Sequence, residues 1–171
     1  ERNMGTEFEQ SIYLHKGVGA TITINKEAHP SYNAGGKAAL INGISGNDKR
    51  YGDKEWLGFW GEDIEITIEF QKPTEVNSIS TRFHNGNGQW IYAPKSIAAY
   101  GFLTNNSSML KTLAIDASDA ILVNTSLDLS QEGKALYTKV KLIVPNYGII
   151  PEGKQGAGNK AWTFIDEIII E

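Results

Sequence analysis

The 171-residue chain has no cysteine, only five prolines and two methionines, and fewer basic than acidic residues: 16 against 20, a net charge of −4. Without cysteine there is no disulfide scaffold, no thiol nucleophile and no cysteine-based zinc site, although export remains open to such a chain. The acidic balance argues against nucleic acid and against an anionic membrane surface, since both select a basic footprint. No apolar run approaches the roughly 18 residues of a membrane span. The opening ERNMGTEFEQ lacks the basic-then-apolar layout of a signal peptide. It begins on glutamate, so the chain is read as part of a longer polypeptide. Helical periodicity is nearly missing too; only GGKAALIN (35–42) could form a turn or two. The remaining composition, 40% hydrophobic and 21% charged, is ordinarily globular. A chain of this length buries roughly 70% of its unfolded surface, enough for one full core.

Eighteen glycines scattered among short apolar stretches point to strands and turns. DIEITIEF (63–70) sets Ile64, Ile66, Ile68 and Phe70 on one face, with Glu65, Thr67 and Glu69 on the other. Pro73 and the polar pair after Phe70 are expected to end it. VNSISTRF (76–83) groups Ile79, Thr81 and Phe83 and sends Arg82 to the opposite side. KALYTKVKLIV (134–144) turns Val140, Leu142 and Val144 inward, and Pro145 stops it. AWTFIDEIII (161–170) reads as one apolar strand buried on both faces or nearly so. GATITI, SIAAYGF and the segments around Leu113 and Ile121 are weaker strands, and TNNSSM (104–109) is an exposed loop tip. Without repeats or a linker, residues 11–171 form one all-β sandwich or jelly roll, with residues 1–10 as a tail.

The residues that could carry a reaction do not assemble into one. His15, His29 and His84 lack the spacing that converges on a metal, and surface or capping roles are expected for them. YNAGGKAAL (32–40) lacks the order of a phosphate loop, and no serine sits in a GxSxG elbow. Glu62–Asp63 and Asp166–Glu167 are adjacent pairs whose members point to opposite faces of a strand, so neither pair works jointly as acid and base. The chain alone is read as a non-enzyme.

Aromatic and polar loop content stands out instead. RYGDKEWLGFWGEDIE (50–65) carries Arg50, Tyr51, Trp56, Phe59 and Trp60; HNGNGQWIYAP (84–94) adds His84, Asn85, Asn87, Gln89, Trp90 and Tyr92. The C–H face of a pyranose stacks on a flat ring, and its hydroxyls need planar polar partners. The competing role for Trp56, Trp60, Trp90 and Trp162 is to plug the end of a sandwich, above all for Trp162 at the start of the most apolar strand.

These strings, taken in order, resemble a known family. KAALINGISGNDKRYGDKEWLGFWGEDIEITIEF (37–70), WIYAPKSI (90–97), YTKVKLIVPNYG (137–148) and PEGKQGAGNKAWTFIDEIII (151–170) are similar to successive segments of discoidin-like domains, also called coagulation factor V/VIII type C domains. The closing segment and the lead-in FEQSIYLHKGVGATITI (8–24) resemble the form at the C-terminal end of bacterial glycoside hydrolase family 20 β-N-acetylhexosaminidases, the chitobiases of gut Bacteroidetes among them. The likeness runs from about Phe8 to Glu171. Three positions depart: Asn42 stands where the family has aspartate, Gln155 where it has histidine, and TNNSSM replaces a turn.

The resemblance implies an all-β, galactose-binding-like jelly roll of about eight antiparallel strands. It implies a carbohydrate-binding module that tethers an exported glycosidase (secreted, periplasmic or on the cell surface) to Gal- or GlcNAc-type glycans. The upstream catalytic domain would then be its neighbour in the polypeptide, and a monomer is expected. In such modules the loops at one end hold the sugar, here Arg50, Tyr51, Trp56, Asn85, Asn87 and Trp90. The family also implies one structural Ca²⁺, held by the Asn42 side chain, the carbonyls of Ala39 and the Ser45–Asp48 loop, and Glu167. The alternatives are a spacer that packs on the catalytic domain without binding sugar, and a 39–48 loop closed by its own hydrogen bonds without metal.

Overall fold

Alternating side chains build two facing sheets in the computed structural model, which describes residues 10–131 and 133–171. Ten strands lie among the described residues: β1 (Thr21–Ile24), β2 (Leu57–Trp60), β3 (Ile64–Glu75), β4 (Ser78–His84), β5 (Ser96–Leu103), β6 (Ser108–Ala114), β7 (Leu122–Asp128), β8 (Leu136–Val144), β9 (Trp162–Ile165) and β10 (Ile169–Ile170). The first sheet runs β1-β3-β8-β5-β6. In the second, β4 pairs with β7 along one edge and with β10 and β9 along the other, and β9 pairs with β2. All these pairings are antiparallel, so the chain is an all-β sandwich. No helix among the described residues is long and apolar enough to cross a membrane. Of the 1–10 tail, all but Gln10 lies outside the described residues.

The inner faces supply the core. Ile64, Ile66, Ile68 and Phe70 of β3 meet Ile79 and Phe83 of β4, with Val140, Leu142 and Val144 of β8 and Leu57 and Phe59 of β2 in the same cluster. Each fully buried residue of this size stabilises by about 1.5–3 kcal/mol relative to exposure.

Two local expectations change. Pro73 does not end β3, because the register shifts between Glu69 and Thr74 and pairing with β8 resumes at Thr74↔Tyr137. The proline sits in this irregular stretch, where no ladder donor is required. AWTFIDEIII is not one strand: Asp166 and Glu167 interrupt it between β9 and β10, each carboxylate turned to its own set of donors. GGKAALIN forms the expected turn, a 3-10 stretch over Lys37–Ile41 that buries Ala39, Leu40 and Ile41.

The outer face of the second sheet carries its own layer. By the pleat, Leu57 and Phe59 of β2 face the core while Gly58 and Trp60 face out, as do Trp162 and Phe164 of β9 and Arg82 and His84 of β4. The segment between β1 and β2 crosses this face and lays Tyr32 and Tyr51 against Phe164. Gly58 makes the crossing possible: a Cβ there would lie 2.6 Å from the Phe164 ring and 2.9 Å from Tyr32.

Candidate functional site

Six rings form a continuous ribbon on this outer face. Trp60 and Trp162 are directly opposed across the β2–β9 pair, with centroids 5.0 Å apart. Trp90 stacks on Trp60 at 6.4 Å and 29°. His29 and Tyr32 stand edge-on to Trp162 at 5.3 and 5.5 Å, and Tyr51 follows Tyr32 at 6.1 Å. His29 is exposed, Trp90 is 37% exposed, and the other four are half-buried. Flat rings with one face packed and another reachable are suited to stacking on the C–H face of a sugar.

Trp90 is held there by its backbone. It follows a 3-10 turn at Asn87–Gln89 and adopts φ 64° and ψ 23°, the left-handed region that bulky residues seldom enter. Its N–H donates to the Asn87 carbonyl at 3.0 Å, and its carbonyl accepts the Trp162 N–H at 2.8 Å. Gly156 lies so close that a Cβ would come within 2.4 Å of the indole, and its own φ of +82° also favours glycine. Strain of this kind persists where the surroundings over-determine it.

Of the residues expected to touch sugar, Trp90 and Tyr51 lie in the ribbon. Arg50 is exposed, its Nε 3.6 Å from Asp53. Asn87 braces the loop, its amide donating to Asn85 Oδ1 and to the Ile91 carbonyl. Two expectations are corrected. Trp56 is 0% exposed, its indole N–H bonded to the Asn47 carbonyl and its ring under the Arg82 guanidinium at 5.6 Å, so it offers no face to a ligand. Asn85 is buried with both ends engaged: Nδ2 donates to Ala120 O, while Oδ1 accepts from Asn87 and from the Ala93 N–H. Sequence reasoning missed Trp60, Trp162, Tyr32 and His29 as members of the ribbon. Alternation through Leu57-Gly58-Phe59-Trp60 already turns Trp60 outward.

A second constellation lies where β9 gives way to β10. Asp166 Oδ2 accepts from Arg82 Nη2 at 2.6 Å, from its Nε at 3.0 Å and from the Gly46 N–H at 3.0 Å. Burial lifts this carboxyl above its usual range, the neighbouring Glu167 adding to the effect, while Arg82 and Gly46 pull the other way. Arg82 also reaches Asp48 at 2.8 Å and the Gly46 carbonyl at 2.8 Å. Glu167 is 2% exposed; its Oε1 accepts from His15 Nε2 at 2.6 Å and from the Gly43 N–H at 2.7 Å.

His15 and His84 are not surface histidines. His15 Nδ1 accepts from the Gly17 and Ile170 N–H groups at 3.0 and 3.2 Å, which places the proton on Nε2 and makes the ring a neutral donor to Glu167. His84 is buried beneath Tyr51 and Trp56, and burial lowers its pKa. All three keep the expected capping role, Nδ1 of His15, His29 and His84 accepting from the N–H of Gly17, Ser31 and Gly86 respectively.

Several of the calcium ligands implied by the resemblance are already engaged within the protein. Asn42 Oδ1 already accepts the Ile44 N–H, and its amide donates to Glu55. In the Ser45–Asp48 loop the Gly46 carbonyl is taken by Arg82 and the Asn47 carbonyl by Trp56, while the Asp48 side chain faces Arg82. Ala39 lies buried in its 3-10 turn, and Glu167 Oε1 is held by two N–H donors. Glu167 Oε2 is the one carboxylate oxygen of this set that is buried without a partner. Among the described residues no three His, Asp or Glu side chains gather as a metal-binding group. Six to eight oxygens are needed for calcium.

No protein-family model and no curated protein matches the chain. Solved structures do. The family 32 carbohydrate-binding module of Streptococcus pneumoniae EndoD aligns with a TM-score of 0.57 at 15% identity, covering 92% of this chain and 99% of its own. The GH31 module CBM32-2, solved with GalNAc, aligns with 0.54 at 18% identity, covering 88% and 97%. A fucose-binding module of Streptococcus pneumoniae gives 0.54 at 9%, covering 96% and 98%. This chain has the fold of the family 32 carbohydrate-binding modules. The likeness extends over nearly the whole of each partner, so the sandwich matches as a complete unit.

Proposed function

We propose that the chain is a non-catalytic carbohydrate-binding module whose ligand lies on the Trp90–Trp60–Trp162 ribbon. The observation that carries this reading is the reachable Trp90 stacked on Trp60, on a fold that GalNAc- and fucose-binding modules share. The sequence resemblance supports a Gal- or GlcNAc-type ligand and a parent β-N-acetylhexosaminidase that is exported. A single open platform binds weakly: millimolar to ten-micromolar dissociation constants correspond to about −4 to −7 kcal/mol. Tethering makes such weakness useful, because it raises the effective concentration of substrate near the enzyme.

Titration of the chain with Gal, GalNAc, GlcNAc and chitobiose, followed by tryptophan fluorescence and amide shifts, tests the reading. Saturable quenching with shifts at Trp90 and Trp162 is expected. Silence at tens of millimolar would leave the second reading, a spacer against a neighbouring domain, which is favoured by the lead-in Ile12 and Leu14 at 59% and 77% exposure.

The 39–48 loop is read as closed by protein donors, with His15 on Glu167 where an ion would otherwise sit. Accordingly, a chelator is expected to leave the melting temperature unchanged. An ion at a hundred times its dissociation constant would contribute about 2.7 kcal/mol, several degrees for a chain of this size. A fall of that order on chelation, or metal found by elemental analysis, would restore the calcium.

A further inference from the structure

Beside Trp90, at the end of the sandwich, a cleft of about 220 Å³ is lined by Asn87, Tyr92, Lys95, Asp116, Tyr147 and Lys154, among others. Lys95 Nζ lies 4.7 Å from the Tyr147 ring centroid, and Lys154 Nζ lies 6.0 Å from the same centroid. Tyr92 packs on Tyr147 at 4.7 Å and is anchored by a hydrogen bond from its hydroxyl to the Gln155 carbonyl at 2.7 Å. Among the described residues neither lysine forms an ion pair. Asp116, the acid of the cleft, turns Oδ1 to the Ser118 N–H.

Two ammonium groups without an ion-pair partner among the described residues thus stand near one tyrosine in a concavity, on a chain whose net charge is −4. Concave walls focus the field of such a pair toward an incoming anion. The volume is below that of pockets for drug-sized ligands and suits a single sugar unit. The loop that carries Lys154 also carries Gly156, which packs on Trp90. The cleft and the Trp90 platform thus share one loop.

We propose that this cleft is a subsite for an acidic sugar, a hexose bearing a carboxylate or sulfate, next to the neutral unit stacked on Trp90. The anion lies between Lys95 and Lys154, and Tyr147 forms the floor. The proposal rests on the glycan-binding reading above and adds a charge preference to it.

Calorimetric titration of the chain with galactose, galacturonic acid and galactose 6-sulfate tests it, with amide shifts to locate each ligand. At low salt at least one acid is expected to bind about threefold to tenfold more tightly than galactose, the range that two exposed charge pairs supply. The advantage is expected to shrink as sodium chloride is added. Shifts at Lys95, Tyr147 and Lys154 are expected with the acid and not with galactose. A gain for galacturonic acid alone selects the carboxylate, and a gain for the sulfate ester alone selects the sulfate. The double variant Lys95→Gln/Lys154→Gln, whose sites are exposed, is expected to keep the melting temperature and the galactose affinity while losing the advantage. Equal affinity for all three sugars, or an advantage that survives in the double variant, overturns the subsite and leaves the module reading intact. Binding of none of them overturns the subsite, and the titration with GalNAc, GlcNAc and chitobiose then decides the module reading.

Discussion

Replacing Arg82 with methionine is expected to lower the stability of the fold by about 3 kcal/mol, the low end for breaking a buried ion pair from one side. Asp166 is 0% exposed, and without the guanidinium its Oδ2 keeps only the Gly46 N–H. The change also removes the donor to the Gly46 carbonyl and the cation over Trp56. The loop from Ser45 to Arg50, whose Asn47 carbonyl anchors the Trp56 indole, loses its tie to β4 at the same time. Urea unfolding measures the loss directly, and the melting temperature falls by roughly 6–12 °C for a chain of this size. The double variant Arg82→Met/Asp166→Asn is expected to recover much of the difference, because it removes the uncompensated charge along with its partner. A single-variant loss below about 1 kcal/mol would mean that water reaches Asp166.

The second large effect is on binding. Trp90→Ala is expected to weaken the sugar affinity by about 2 kcal/mol, roughly thirtyfold, as for a well-packed aromatic anchor. Starting from a millimolar constant, this takes binding out of reach of titration. The fold persists, since Trp90 lies at the rim and belongs to none of the buried core clusters. Arg50→Ala is expected to change affinity little, because its head group is exposed and paired with Asp53. If Trp90→Ala binds normally and Arg50→Ala does not, the ligand sits at the Arg50–Tyr51 end of the ribbon.

The sandwich was legible because three strands obey a strict period of two. β3, β4 and β8 place inward the residues that alternation selects, Ile64 through Phe70, Ile79 to Phe83 and Val140 to Val144. The strand β2 was not legible, since it spans only the four residues Leu57–Trp60 and a run so short and aromatic reads equally as loop. The ribbon was half legible for a related reason. Composition marks Trp56 and Trp90 equally as stacking rings, and what separates them is the Ser45–Arg50 loop folded over Trp56, a tertiary event. His15 and Glu167 lie 152 residues apart, and nothing local announces that one will donate to the other. The break at Asp166 and Glu167 follows from chemistry that the apolar pattern conceals: a buried carboxylate needs donors, and those donors are Arg82 on β4 and the loops that carry His15, Gly43 and Gly46.

Trp90 in its left-handed backbone has one more consequence. Pinned by Asn87, by Trp162 and by the close approach of Gly156, the ring has already surrendered its freedom during folding, and an arriving glycan does not have to arrest it. Association with such a surface is governed by diffusion and orientation, and mutations or sugar variants should register in how soon the partner escapes.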